Sequence, residues 1–140
     1  MARPQPQRAI RVLIAEQSDA DIRALRTILE QWFHDPLEIY ATTCANEALS
    51  LAQHHAVDLV IANARLAEGD GLMLCRALRK SPALGHLPIM LLGAGTSARA
   101  KIMGFTSGAD DYIVRPIDDR LLVARLRLLL RLKNIDRLEV

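Results

Sequence analysis

Glu16, Gln17, Asn63, Gly93 and Arg115 stand where apolar runs give way to polar residues, and they are the residues best placed to do chemistry. They supply one acid, two amides, one guanidinium and one backbone position that needs freedom. The amide of Asn63 is neutral and a poor nucleophile. The other reactive side chains lack useful spacing. His34, His54, His55 and His86 fall at helix ends and loops with no carboxylate or cysteine at ligand spacing, which argues against zinc or catalysis. Cys44 and Cys75 lie far apart with no CxxC pattern, so two reduced thiols are expected, acting as small buried hydrophobes in a cytosolic setting.

These residues need a frame, and the apolar pattern supplies one. Residues 10–15 form a short, apolar, β-branched run, which predicts a buried strand. Ser18 or Asp19 can cap a helix carrying Ile22, Leu25, Ile28, Leu29 and Trp32, with Asp35 and Pro36 as the breaker. Residues 37–42 predict an outer strand that tolerates Glu38, and Thr43 can cap a helix bearing Ala48, Leu49, Leu51 and Ala52. Residues 57–62 are the clearest buried strand, followed by a loop over 63–71 and a helix over about 72–80. A fourth apolar run, 89–92, stops at Gly93, Ala94 and Gly95, and Thr96 can cap a helix through Phe105 that Gly108 ends. Residues 112–114 predict a fifth strand, and a last helix runs from about Asp118.

Five strands alternating with five helices, the inner strands apolar on both faces, predict a doubly wound parallel α/β sheet. Ligand sites in such folds lie at the carboxyl ends of the strands, where strand order reverses. The loops that begin at Glu16, Asn63, Gly93 and Arg115 meet there.

The 140 residues suit one domain, and a second would not fit. Aromatics are only 4%, so the core must be aliphatic. A net charge of +2 is too small to steer the whole molecule toward nucleic acid. No apolar stretch is long enough to span a bilayer, and the first nine residues lack an apolar signal core, so a cytoplasmic protein without a membrane partner is expected. Residues 1–9 read as a flexible leader, 10–132 as the domain, and 133–140 as an extension of the last helix.

Residues 58–63 followed by Gly69, Asp70 and Gly71, together with residues 108–116, resemble the receiver domains of two-component response regulators. The similarity runs from Arg11 to about Leu132. It implies a flavodoxin-like sheet of order 2-1-3-4-5. It also implies an acidic pair after the first strand, an acceptor Asp after the third, a Ser or Thr after the fourth and a Lys before proline. This chain has Glu16 and Gln17, Asn63, Gly93 and Arg115 at those positions, a degenerate phosphorylation pocket. Tyr112 matches the aromatic that switches between inward and outward positions.

An acyl phosphate needs a carboxylate oxygen to attack phosphorus, which Asn63 lacks. Asp58 lies about 13 Å away along an extended strand, and Asp70 sits in the far arm of the loop, where strand entry and turn chemistry account for them. Glu16 alone remains as an anionic ligand, and Arg115 balances it, so neither a metal nor another cofactor is expected. Two placements are open to Arg115: a two-pronged pair with Glu16, or extension to solvent. Tyr112, too, can pack simply as a half-buried tyrosine at the sheet edge.

In the last helix Leu121, Leu122, Leu126, Leu129 and Leu130 can serve the core, while Leu128, Leu132, Ile135 and Leu138 form a second stripe that wants a partner. Arg125, Arg127, Arg131, Lys133 and Arg137 make the opposite surface basic, and nucleic acid ranks below protein contact as its use. The expected function is a non-enzymatic, phosphorylation-independent module for signalling through protein contact or dimerisation. The alternative is the regulatory portion of a larger output protein, transcriptional or cyclic-dinucleotide signalling, cut near Val140.

Overall fold

The computed structural model describes residues 8–94 and 97–138, with side chains described as far as Leu132. Strands β1 (Ile10–Ala15), β2 (Leu37–Thr42), β3 (Leu59–Asn63), β4 (Ile89–Gly93) and β5 (Asp111–Val114) alternate with helices α1 (Asp19–Trp32), α2 (Ala45–His54), α3 (Gly71–Lys80), α4 (Ala98–Thr106) and α5 (Asp119–Leu138). The strands form one parallel sheet in the order β2-β1-β3-β4-β5. The fold is therefore the flavodoxin-like one expected from the sequence. Strand order reverses between β1 and β3, which puts Glu16 and Asn63 side by side at the switch point.

Alternation along each strand divides the core in two. Val12, Ile14, Leu59, Ile61, Met90, Leu92 and Ile113 pack with Leu25 and Leu29 of α1 and with Leu122, Val123 and Leu126 of α5. Leu13, Val60, Ile89 and Leu91 face the other way, toward Ala48 and Ala52 of α2 and Leu74, Cys75 and Leu78 of α3. All five residues of β3 and all five of β4 are buried, so these are the strands apolar on both faces. Each fully buried Leu or Ile contributes about 1.5–3 kcal/mol relative to exposure, and that burial fixes the register.

Several element ends differ from the sequence expectation. Strand β3 starts at Leu59 rather than Val57, because the Asp58 carboxylate accepts from the backbone N–H of Arg11 at 2.9 Å and from Arg8 at 2.7 Å. Thr43 does not cap α2. Cys44 holds that position without a side-chain bond, and Thr42 Oγ1 accepts its N–H at 3.1 Å instead. Thr96 lies outside the described residues, and the side chain that caps α4 is Ser97, accepting from Ala100 N–H at 3.1 Å. Asp70, assigned to turn chemistry, is the N-cap of α3, accepting from Met73 N–H at 2.7 Å.

In α5, Leu121 is 44% exposed rather than part of the core, because Leu122 and Val123 occupy the inward positions of that turn. Leu128 and Leu132 are exposed by 47% and 49%. The side chains of Ile135 and Leu138 lie outside those described. Cys75 is buried as expected, but Cys44 is only half-buried.

Candidate functional site

The sheet's carboxyl edge begins with a buried acid. Glu16 follows β1 and is fully buried, a position that costs several kcal/mol unless the charge is met. Its Oε1 accepts from its neighbour's backbone, Gln17 N–H, at 2.9 Å and from Asn63 Nδ2 at 2.8 Å. Its Oε2 faces Arg115 Nη2 in an ion pair. Both carboxylate oxygens are thus occupied by groups of this chain.

The guanidinium fork is divided. Arg115 Nη1 stands 3.7 Å from Asp21 Oδ1 in the first turn of α1, so of the two placements left open, a two-pronged pair with Glu16 or extension to solvent, Arg115 takes neither fully and faces two acids instead. Burial lowers the Arg115 pKa from its ordinary value, an influence that the adjacent carboxylates oppose. Sequence reasoning missed Asp21. Its signal was the spacing Ser18-x-x-Asp21, a capping arrangement in which Ser18 Oγ accepts from Asp21 N–H at 3.1 Å and donates to Asp21 Oδ2 at 2.9 Å.

Asn63 ends β3 and is also buried. Its Oδ1 accepts from the backbone N–H of Arg65 at 2.9 Å, turning the chain away from the sheet. The loop then returns, and Gly71 N–H donates to Ala64 O at 3.0 Å. A Cβ on Gly71 would lie 2.1 Å from Asn63 O, so only glycine lets the start of α3 approach the end of β3 this closely.

Gly93 ends β4, and its carbonyl accepts from Arg115 N–H at 2.9 Å. Tyr112 points inward and is 7% exposed, more buried than a half-buried residue at the sheet edge. Its hydroxyl stands over Gly93, where a Cβ would come within 1.9 Å of it. The strand ends surround a cavity of about 460 Å³, bordered by Gln17, Asn63, Arg65, Asp70, Tyr112 and Arg115. Asp70 therefore reaches the rim, but one of its oxygens is committed to capping α3.

The remaining titratable residues lie elsewhere. His34, His54 and His86 are exposed, and His55 stacks on Tyr40 with ring centroids 4.1 Å apart. Asp58 holds Arg8 and Arg11 at the opposite edge of the sheet. Among the described residues no group of three or more His, Cys, Asp or Glu is arranged to hold a metal ion, and no helix is long and apolar enough to cross a membrane.

Residues 12–127 match the response regulator receiver domain. Response regulator PleD of Caulobacter vibrioides is 31% identical over 125 residues, which are 89% of this chain and 27% of that protein. Transcriptional regulatory protein AfsQ1 of Streptomyces coelicolor is 33% identical over 120 residues, 86% of this chain and 51% of that protein. The chain thus spans about half or less of these curated relatives. Among solved structures, the signal receiver domain of a histidine kinase from Syntrophus aciditrophicus superposes with a TM-score of 0.79 at 30% identity, covering 88% of this chain and 91% of that one. The receiver domain of an HD domain-containing protein from Pseudomonas fluorescens Pf-5 shares the fold, with a TM-score of 0.86 at 22% identity over the full length of both chains.

Proposed function

The chain belongs to the response regulator receiver family, and on that premise we propose that it is a degenerate receiver, a non-enzymatic signalling module that acts by protein contact without being phosphorylated. The observation that carries this reading is the closed set around Glu16. One oxygen accepts from Gln17 and Asn63, and the other faces Arg115. A receiver of the ordinary kind needs a carboxylate as acceptor and more carboxylates for a hard divalent cation. Here the position at the end of β3 is an amide, whose nitrogen cannot displace at phosphorus as a carboxylate oxygen does.

The donor set does not fit Mg²⁺ either. Glu16 Oε1 already accepts two hydrogen bonds, its Oε2 faces the Arg115 guanidinium, and Asn63 Oδ1 is spent on Arg65, so a positive charge of the chain itself stands at the one remaining carboxylate oxygen. Glu16 and Asp21 carry −2 against +1 on Arg115, and Asp21 is partly exposed to water. The guanidinium therefore stands in for the ion, and no step of this module passes through a metal. It is read as cytoplasmic.

The test is incubation of the purified chain with acetyl phosphate and Mg²⁺, followed by intact-mass measurement. No added phosphoryl mass is expected. A hydroxylamine-labile phosphate on the native protein would overturn the reading.

The partner contact is assigned to α5 and the face beside it, where Leu128 and Leu132 are about half exposed and the stripe continues in sequence through Ile135 and Leu138. Self-association is the first expectation. Light scattering on the wild type and on a Leu128→Ser/Leu132→Ser variant tests it: loss of a dimer supports the stripe, and a wild-type monomer removes it. A second reading follows from the share of each relative that this chain spans, 27% of PleD and 51% of AfsQ1. In that reading the module regulates an output region of a longer protein, transcriptional by analogy with AfsQ1, and the reading frame around the gene decides it.

A further inference from the structure

The exposed surface of α5 divides lengthwise. Leu121, Leu128 and Leu132 form one stripe, and Arg120, Ala124, Arg127 and Arg131, at steps of four, three and four residues, form another beside α1. Arg125, on the far flank of the leucines, is paired with Asp111 at 3.3 Å. Among the described residues, Arg120, Arg127 and Arg131 stand in no ion pair.

The arginine stripe borders a groove of about 520 Å³ between α5, the start of β1 and the end of α1. Ile10, Phe33, Ala124 and Leu130 give it an apolar lining, while Arg127 and Arg131 stand against a single acid, Asp35, on its border. Arg127 is already positioned. Its Nη2 donates to Trp32 O, and its guanidinium lies 5.3 Å from the centroid of the Phe33 ring. A cation held beside an apolar surface attracts a carboxylate more strongly than one in open water, and little further ordering is needed when the anion arrives.

We propose that this groove is a docking site for an acidic segment of a partner protein, which inserts an apolar side chain against Ile10 and Leu130 and sets flanking carboxylates on Arg127 and Arg131. Charge complementarity selects this occupant. A nucleic acid has no aliphatic group to fill the groove, and Phe33 is buried under Arg127, where no base can stack on it. A bilayer surface does not enter a concave site. The groove lies beside the leucine stripe to which self-association is assigned, and neither contact depends on the other.

The experiment titrates the full chain into a dye-labelled amphipathic peptide of leucine and glutamate and follows fluorescence anisotropy. A leucine and lysine peptide of the same pattern, duplex DNA and phosphatidylglycerol vesicles are measured beside it. The glutamate peptide is expected to bind saturably and the lysine peptide not to bind. Arg131→Glu should weaken binding at least about 5-fold. Ala124→Arg fills the groove while adding positive charge, so it too should weaken binding, whereas a purely electrostatic attraction would hold or strengthen. Lys101→Glu, the same charge reversal on α4, should leave binding unchanged. Arg131 and Ala124 are exposed, so both variants are expected to fold. Failure of the glutamate peptide to saturate, wild-type affinity in Arg131→Glu or Ala124→Arg, or equal weakening in Lys101→Glu would overturn the proposal. Tighter binding of DNA or vesicles that Ala124→Arg abolishes, or a dimer of the wild type that it abolishes, would give the groove to another occupant and overturn it as well.

Discussion

Asn63 Nδ2 donates to Glu16 Oε1 at 2.8 Å, joining β3 to the end of β1 across the point where strand order reverses. The two side chains that would otherwise compete as like charges are here a hydrogen-bonded amide and carboxylate. Placing a carboxylate at this position reverses the sign of the contact.

Asn63→Asp should therefore destabilise the fold by about 1–3 kcal/mol at neutral pH, since it replaces a donor with a second buried anion. Urea denaturation at pH 7 measures this. No loss of stability would mean that the amide is not needed by Glu16.

Arg115→Met leaves Glu16 buried without its cation. Breaking a buried pair costs about 3–5 kcal/mol, and because Arg115 is about one-third exposed the lower end is expected. Arg115→Met/Glu16→Gln should recover much of that loss, and the difference is read from a double-mutant cycle in urea. By contrast, Arg115→Lys keeps the charge, and isothermal titration with Mg²⁺ should still give no binding. Tight binding in that variant would show that the guanidinium alone had kept the ion out.

A second arginine has a purely architectural part. Arg79 at the end of α3 donates through Nε to Gly108 O at 2.8 Å, through Nη1 to Gly85 O at 3.1 Å and to Leu87 O, and through Nη2 to Asp110 Oδ2 at 2.8 Å. Asp110 Oδ2 also accepts from Ile89 N–H at 2.8 Å. Arg79→Leu is expected to cost about 2–4 kcal/mol, because several carbonyls lose a charged donor together. Arg79→Lys should rescue little of it, since one ammonium cannot span the planar fork. Equal stability of the lysine variant and the wild type would refute this account.

Cys75 gives a pH signature. Burial pushes its thiol up to about 12. Above an ordinary thiol pKa of about 9 the unfolded chain releases this proton and the folded chain does not. Stability should fall as pH rises from about 9 toward 12, by up to about 1.4 kcal/mol per pH unit. Cys75→Ala should flatten that slope in thermal melts between pH 8 and 10. The native protein should also take up maleimide at Cys44 but not at Cys75.

Much of the frame was legible because strands and helices differ in apolar period. The bounds of β1 and β2 follow from the sequence residue for residue, since each is a short run closed by a polar cluster. Ends set by single hydrogen bonds were not: Thr42 rather than Thr43 serves the start of α2, and Asp58 turns outward to hold β1. Leu121 shows the limit of pattern alone, because a helix rich in leucine has more apolar positions than its core can take. At the site, the residues at the strand ends could be placed by topology, but the choice of Asp21 as a second partner for Arg115 depends on where α1 begins. The acceptors of Arg79 are mostly backbone carbonyls from two loops, which leave no mark in a list of side chains.

Trp32 closes α1 beneath the guanidinium of Arg120, 5.3 Å from the ring centroid, and its carbonyl receives Arg127 from the same helix α5. It is the only tryptophan in the chain. Its emission is therefore a native optical gauge of how the first and last helices sit together, and it lies on the face of the sheet away from the tyrosine ring. A fluorescence change on adding a binding protein would report a disturbance at that seam, and silence would direct attention to the opposite side.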